Sequence, residues 1–325
     1  MSFEHRSSRA PEGPKQAIRE GYPRMNRCLI LVASALLTLT SHAFAQEVSD
    51  SNKVADGSTV KTPAGYTTIL DKTYVQVGDW QGKMDLYLPP KSKTPSPVVI
   101  KIHGGGWTHG SKVSSGGIYF KMGFALVNVE YRFTQAAPAP AAIEDSRCAL
   151  KYVIDHAAEL NIDPHRIVLQ GGSAGGHLVL ITGLLLNDHR FESNCPGNTD
   201  MSVAAIIDEY GPTDFTQASW SISSRNKSVI GWLGTHVNDE AFKASVSPIT
   251  YVQPNSPPVL IVHGALDHSV PIEQSEVLEQ RLEAAGVKTE FLVVPGAGHG
   301  KFTHEQEVLE DEHIENFLKS IPLVR

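Results

Sequence analysis

The chain has 325 residues, 41% of them hydrophobic and 19% charged, which suits one large α/β domain or two small ones. Its formal net charge of −7 argues against nucleic acid or an anionic membrane surface as a partner. There is no low-complexity run and no internal repeat, so fibrous and solenoid architectures are excluded.

At the N-terminus, Met25-Asn26-Arg27 precedes an apolar segment that ends in Ala43-Phe44-Ala45. A positive start, a short apolar core and small residues before a cut predict a secretory signal peptide, cleaved before Gln46. Residues 1–45 are then removed, and Met25 is an alternative start to Met1. The apolar core, near Leu29–Leu39, is shorter than the roughly 20 residues a bilayer span needs, so no stable membrane span is expected. The expected location is periplasmic or secreted. Cleavage takes six of the 28 Lys/Arg and three of the 35 Asp/Glu, leaving 22 against 32, a balance near −10. It also removes Cys28 and leaves Cys148 and Cys195, which an oxidising compartment permits to form one disulfide.

Residues 46–72 read as a polar linker and 73–325 as the folded domain. Two alternating segments, "KTYVQVG" and "KMDLYLP", flank "DWQG" and predict an antiparallel hairpin. Six further strand-like runs follow: "PVVIKIHG", "FALVNVEYR", "RIVLQG", "VAAIIDEYG", "PPVLIVHG" and "TEFLVVPG". Their mostly apolar, β-branched cores fit strands buried on both faces. Helices are expected at 141–160, ahead of a turn at "NIDPHR", and at 174–186. Others are expected along Ser275, Leu278, Leu282 and Ala285, stopped by Gly286, and along Ile314, Phe317, Leu318 and Ile321. This alternation predicts a mostly parallel sheet with helices on both faces. Residues 216–256, with Trp220 and Trp232, break the rhythm and read as a small cap inserted over the sheet's carboxyl edge.

The chemistry-bearing stretch is "RIVLQGGSAGGHLVLITGLLL". Gly171–Gly175 matches G-x-S-x-G and falls between a strand and a helix. Glycines two residues either side of Ser173 leave its hydroxyl alone on a tight turn, and the helix start aims the Ala174 amide at developing negative charge. A serine needs a base oriented by a third group. His299, in "PGAGHG", and Asp267, in "HGALDHS", both follow strand ends, in the order Ser173, Asp267, His299. Asp214 and Glu209 are the alternative acids. His103, His177 and His263 have structural explanations, and His268 stands too near Asp267 in sequence to be oriented by it. "HGGGW", His103–Trp107, exposes successive glycine amides after an early strand, a loop that completes an oxyanion hole. No Gly-Lys-Ser/Thr follows it, which excludes a phosphate loop. Trp107 either walls the acyl or leaving-group pocket or simply packs.

Taken together, "HGGGW", "GGSAGGH", "GPTDF", the Asp267 context and "GAGHG" resemble the α/β-hydrolase superfamily, nearest its esterase/lipase-type branch (carboxylesterases and feruloyl- and acetylxylan-esterase-like proteins). The resemblance runs from about Thr73 to the C-terminus and implies the α/β-hydrolase fold. It also implies a catalytic triad of Ser173, Asp267 and His299, and an oxyanion hole from the amides of Gly105, Gly106 and Ala174. Asp145 takes the branch's usual acidic position, but "YRFTQAAPAP" departs from the Tyr-Arg-Leu-Ala-Pro of the hormone-sensitive-lipase-like group. The reading is a serine hydrolase that cleaves carboxylic esters through an acyl-enzyme. Acetyl or feruloyl esters of polysaccharides are among the candidate substrates. An amide-type hydrolase, formamidase- or peptidase-like, and a non-catalytic binding protein of hydrolase fold are the alternatives. No cofactor is expected, and metal patterns such as C-x-x-C or H-E-x-x-H are absent from the sequence.

Overall fold

The computed structural model describes residues 60–217, 226–321 and 323; the expected signal segment and Trp220 lie outside them. Eight strands form one sheet: β1 (Thr67–Val77), β2 (Trp80–Leu88), β3 (Ser96–Ile102), β4 (Ala125–Val129), β5 (Ile162–Gly172), β6 (Ala205–Glu209), β7 (Val259–Gly264) and β8 (Thr289–Val294). Their spatial order is β1-β2-β4-β3-β5-β6-β7-β8. The β1–β2 hairpin pairs antiparallel, β2 joins β4 antiparallel, and β3 to β8 run parallel. This is the α/β-hydrolase fold.

The helices are α1 (Gly117–Lys121), α2 (Ala141–Asp155), α3 (Ala157–Leu160), α4 (Ala174–Leu184), α5 (Lys227–Leu233), α6 (Glu240–Ser245), α7 (Glu273–Ala284) and α8 (His304–Lys319). The larger core packs α2, α4 and α7 on one sheet face, and α1 and α8 cover the other. Every residue of β4, β7 and α4 is buried, which explains their lack of amphipathic pattern. A fully buried leucine such as Leu178 contributes about 1.5–3 kcal/mol by transfer from water alone.

Several boundaries differ from the sequence reading. The folded domain begins before 73, because β1 opens at Thr67 inside the segment read as linker, where Thr67 pairs with Leu88. The hairpin turns at Gly78-Asp79, with Val77 paired to Trp80, so three of the four "DWQG" residues lie in β2. Gly78 has φ +57°, a conformation a tight hairpin needs and glycine adopts without cost. The helix expected over 141–160 breaks at His156, and Asn161 ends the second piece at φ +55°. The expected "NIDPHR" turn instead extends β5, where Ile162 pairs with Ser96 ahead of a register shift.

Cys148 of α2 and Cys195 are joined by a disulfide, with Cα atoms 5.7 Å apart. Arg147 makes this meeting possible. Wholly buried, it donates to Thr182 O at 2.8 Å and Leu186 O at 2.8 Å, satisfying carbonyls at the end of α4, and pairs with Glu192. The loop after α4 thereby folds back onto α2 and delivers Cys195. Removing one partner of such a buried ion pair costs about 3–5 kcal/mol.

Candidate active site

Ser173 sits where β5 turns into α4, at φ +57° and ψ −120°. Such a backbone costs a non-glycine residue about 1–3 kcal/mol and persists only when its surroundings hold it. Its N–H donates to Glu209 O at 2.8 Å, and its carbonyl accepts from His177 N at 3.0 Å. Glycines permit the close approach. A Cβ at Gly175 would stand 2.1 Å from Ile102 O, and one at Gly171 would stand 2.5 Å from Gly175 O. Strand β3, strand β5 and the first turn of α4 therefore meet backbone to backbone under the serine.

The glycine loop lies against this turn, since a Cβ on Gly104 would be 3.4 Å from Ser173 Cβ. Gly105 and Gly106 have φ +113° and +58°, and among the described residues their amides donate to no carbonyl. The Ala174 amide, first of its helix, has no intrahelical acceptor. Tyr131 Oη braces the loop by donating to His103 O at 3.0 Å, and Thr134 N donates to Trp107 O at 2.8 Å.

His299 and Asp267 come from the loops after β8 and β7 and meet Ser173. His299 Nδ1 lies 2.7 Å from Asp267 Oδ2, and Nε2 lies 2.8 Å from Ser173 Oγ. A carboxylate only accepts, so Nδ1 carries the proton and Nε2 accepts from the serine hydroxyl. Asp267 Oδ1 accepts from Ser269 N at 2.7 Å and Val270 N at 3.0 Å. Burial pushes its carboxyl up, but the His263 and His299 imidazoles and the Ser269 amide outweigh that and hold it well below the usual range.

The alternative acids are engaged elsewhere: Asp214 accepts from Thr216 N and Oγ1, and Glu209 from Gln170. His177 is buried among the rings of Trp107, Phe215 and Trp232, with burial pushing its imidazole down to about 4. His103 stacks on Tyr131 at 4.5 Å between ring centroids. Asp145 binds Arg132 at 2.8 Å. Trp107 stacks on Trp232 at 4.6 Å and lines the cavity over Ser173.

The sequence reading gave no part in the site to two of its neighbours, His263, which it explained structurally, and Tyr210. His263 is wholly buried, with Nε2 3.0 Å from Val270 O and 3.4 Å from Asp267 Oδ2. Both are acceptors, so Nε2 carries the proton and Nδ1 accepts from Ser275 Oγ at 2.7 Å. Its signal was the i, i+4 spacing to Asp267 across a tight strand-end loop. Tyr210, at φ +48°, sets its ring edge-on to His299 with centroids 4.8 Å apart. Nothing local in the sequence marks it.

The cavity over Ser173 measures about 600 Å³. Asn226, Ser228 and Val229 of the 216–256 insertion contribute to its wall. Among the described residues there is no cluster suited to a metal ion and no helix long and apolar enough to cross a membrane.

The BD-FAE family model matches residues 84–282. Esterase LipC of Mycobacterium tuberculosis is 32% identical over 215 residues, covering 63% of this chain and 53% of LipC. The chain thus spans about half the length of the relatives of this kind that it matches. Among solved structures, a truncated carbohydrate esterase from gut microbiota superposes with a TM-score of 0.68 at 30% identity, covering 79% of this chain and 99% of that one. Thermogutta terrifontis esterase 2, phosphoramylated by tabun, gives 0.65 at 25% identity over 80% of this chain and 96% of that one. This chain belongs to the BD-FAE family, within the α/β-hydrolases.

Proposed function

We propose that the protein is a serine hydrolase that cleaves carboxylic esters through an acyl-enzyme. One observation carries this reading: the unbroken Ser173–His299–Asp267 hydrogen-bond line at 2.8 and 2.7 Å beneath an open cavity. Ser173 Oγ attacks the carbonyl carbon while His299 Nε2 takes its proton. Asp267 holds the imidazole tautomer and faces the imidazolium that forms. The amides of Gly105, Gly106 and Ala174 receive the oxyanion; losing one such donor typically costs about 10²–10³ in rate. His299 then protonates the leaving alcohol, and water, deprotonated by the same nitrogen, releases the acid.

Esters of carbohydrates, acetyl or feruloyl, are the substrates we favour, supported by the likeness to a carbohydrate esterase. We place the protein outside the cytoplasm, periplasmic or secreted after cleavage before Gln46. The Cys148–Cys195 disulfide supports that placement, since such bonds persist in oxidising compartments. The test is hydrolysis of p-nitrophenyl acetate with stoichiometric labelling by an organophosphonate. Peptide mapping should find the label on Ser173; a label elsewhere, or no turnover, refutes the reading. N-terminal sequencing of exported protein should start at Gln46.

A further inference from the structure

The cavity holds a second set of polar groups for which cleavage of an ester bond has no use. On the sheet face covered by α1 and α8, Lys101 of β3 is the register neighbour of Asn128 on β4 and Gln170 on β5. Gln170 pairs in turn with Ile207 of β6, so Glu209, two residues on, stands on the same face. The apolar residues below this row, Val99, Leu126, Val168 and Ile207, are buried core. At the sheet's carboxyl edge the face turns polar, and there Lys101, Gln170 and Glu209 line the cavity that also contains Ser173.

These groups have hydrogen-bonding capacity to spare. Gln170 is 4% exposed; its Nε2 donates to Glu209, while its Oε1 is buried without a partner. The Lys101 ammonium donates to Ser115 O at 3.3 Å and, among the described residues, makes no ion pair. Three more buried oxygens around it lack partners: Tyr119 Oη, Asn128 Oδ1 and Glu310 Oε1. Native interiors pair nearly all such atoms, and Gln170, whose Oε1 is among them, lines the open cavity, where a ligand can reach it.

Charge selects the ligand's class. Burial and the neighbouring Glu209 push the Glu310 carboxyl well above its usual range. On the cavity wall itself Lys101 and Glu209 carry opposite signs, so a cation meets the ammonium and an anion meets the carboxylate. A hydroxyl satisfies both, accepting from Lys101 and donating to Gln170 Oε1 or Glu209. The opposite side of the cavity, with Trp107, Val229 and Val270, offers apolar surface for an acyl group.

We propose that the Lys101–Gln170–Glu209 row is the subsite for a neutral, polyhydroxylated leaving alcohol and sets a preference for it over a plain alkyl alcohol. The inference rests on the ester-hydrolase reading above. The test compares glycerol 1-acetate with propyl acetate, esters of one carbon skeleton that differ in two hydroxyls. The wild type should favour the glycerol ester at least tenfold in kcat/KM, and Lys101→Met and Gln170→Leu should each cut that ratio by about tenfold, the scale of one charge-assisted or buried hydrogen bond. A wild-type ratio near one overturns the subsite, as does an unchanged ratio in either folded variant. If neither variant folds, the wild-type ratio decides alone. Failure to hydrolyse both esters and p-nitrophenyl acetate removes the subsite together with the ester-hydrolase reading; cleavage of propyl acetate without preference removes the subsite only.

Discussion

The two walls of the cavity are held by different forces. On the nucleophile side, β3, β5 and α4 approach so closely that a single added Cβ would come within 2.1 Å of a carbonyl oxygen, and Ser173 is fixed by sterics. On the acid–base side the loops after β7 and β8 carry exposed residues, Leu266 at 56% among them, and position is set by hydrogen bonds to Asp267. The steric wall tolerates no added atom, and the hydrogen bonds that hold it, Ser173 N to Glu209 O and His177 N to Ser173 O, join backbone to backbone. The hydrogen-bonded wall accepts substitution at a cost that falls on turnover before it falls on folding.

The largest effect should come from Ser173→Ala, which leaves both walls standing and removes only the attacking atom. Turnover of p-nitrophenyl acetate should fall by about 10⁴-fold or more, with the thermal midpoint within about 2 °C of wild type. Next, Asp267→Asn keeps the shape of the acid–base wall but favours the wrong histidine tautomer, and kcat should drop by about 10³–10⁴ with KM little changed. Gly175→Ala attacks the steric wall and should lose about 3 kcal/mol or more in urea unfolding, or fail to accumulate as soluble protein. An alanine tolerated there at wild-type stability would break the comparison.

His263→Gln should be milder. Glutamine can still donate toward Asp267 but lacks the ring's second anchor at Ser275, so kcat should fall by about tenfold with KM held, as for loss of one buried hydrogen bond. Equal losses in kcat and stability would make His263 merely structural. The smallest effect concerns Asp208, wholly buried behind the nucleophile turn, whose Oδ1 accepts from Gly211 N at 3.0 Å while Oδ2 has no partner. Burial pushes its carboxyl up to about 7 from an ordinary 3.8. The folded protein therefore holds this proton more tightly than the unfolded chain, and stability from this group, complete below 3.8, is lost as pH rises to about 7. Asp208→Asn should match wild type at pH 4 and melt a few degrees higher at pH 8, by the same linkage.

The steric wall was legible in the sequence because it is local. Gly171, Ser173 and Gly175 are close in sequence as well as in space, and a Cβ on either glycine would run into a backbone oxygen. The parallel strands were legible for a similar reason, since burial on both faces leaves an unbroken apolar run in β4 and β7. The order of Asp267 and His299 along the chain followed from their strand ends. Less was visible where one contact joins distant segments. Arg147, Glu192 and the carbonyls ending α4 come together only in the folded chain, so the return of the loop that meets Cys148 could not be read from "DHRFESNCPG". The Tyr210 ring beside His299, and the polar row of Asn128, Lys101, Gln170 and Glu209, depend on strand register, to which local pattern is blind. Hairpin and helix boundaries slipped by a few residues because Trp80 and Ile162 lie at element ends, where pairing rather than composition decides.

The covalent link between Cys148 and Cys195 has a topological consequence whenever a protease cuts the chain between them. The segment it encloses holds β5, Ser173 and α4, and also the half-exposed Arg190, a trypsin target in the returning loop. Cutting after Arg190 separates Ser173 from Asp267 and His299 along the backbone, yet the two fragments remain one molecule through the bridge. A nicked preparation should therefore run as a single species until reduced and keep its full turnover, so cleavage there would pass unnoticed in an activity assay.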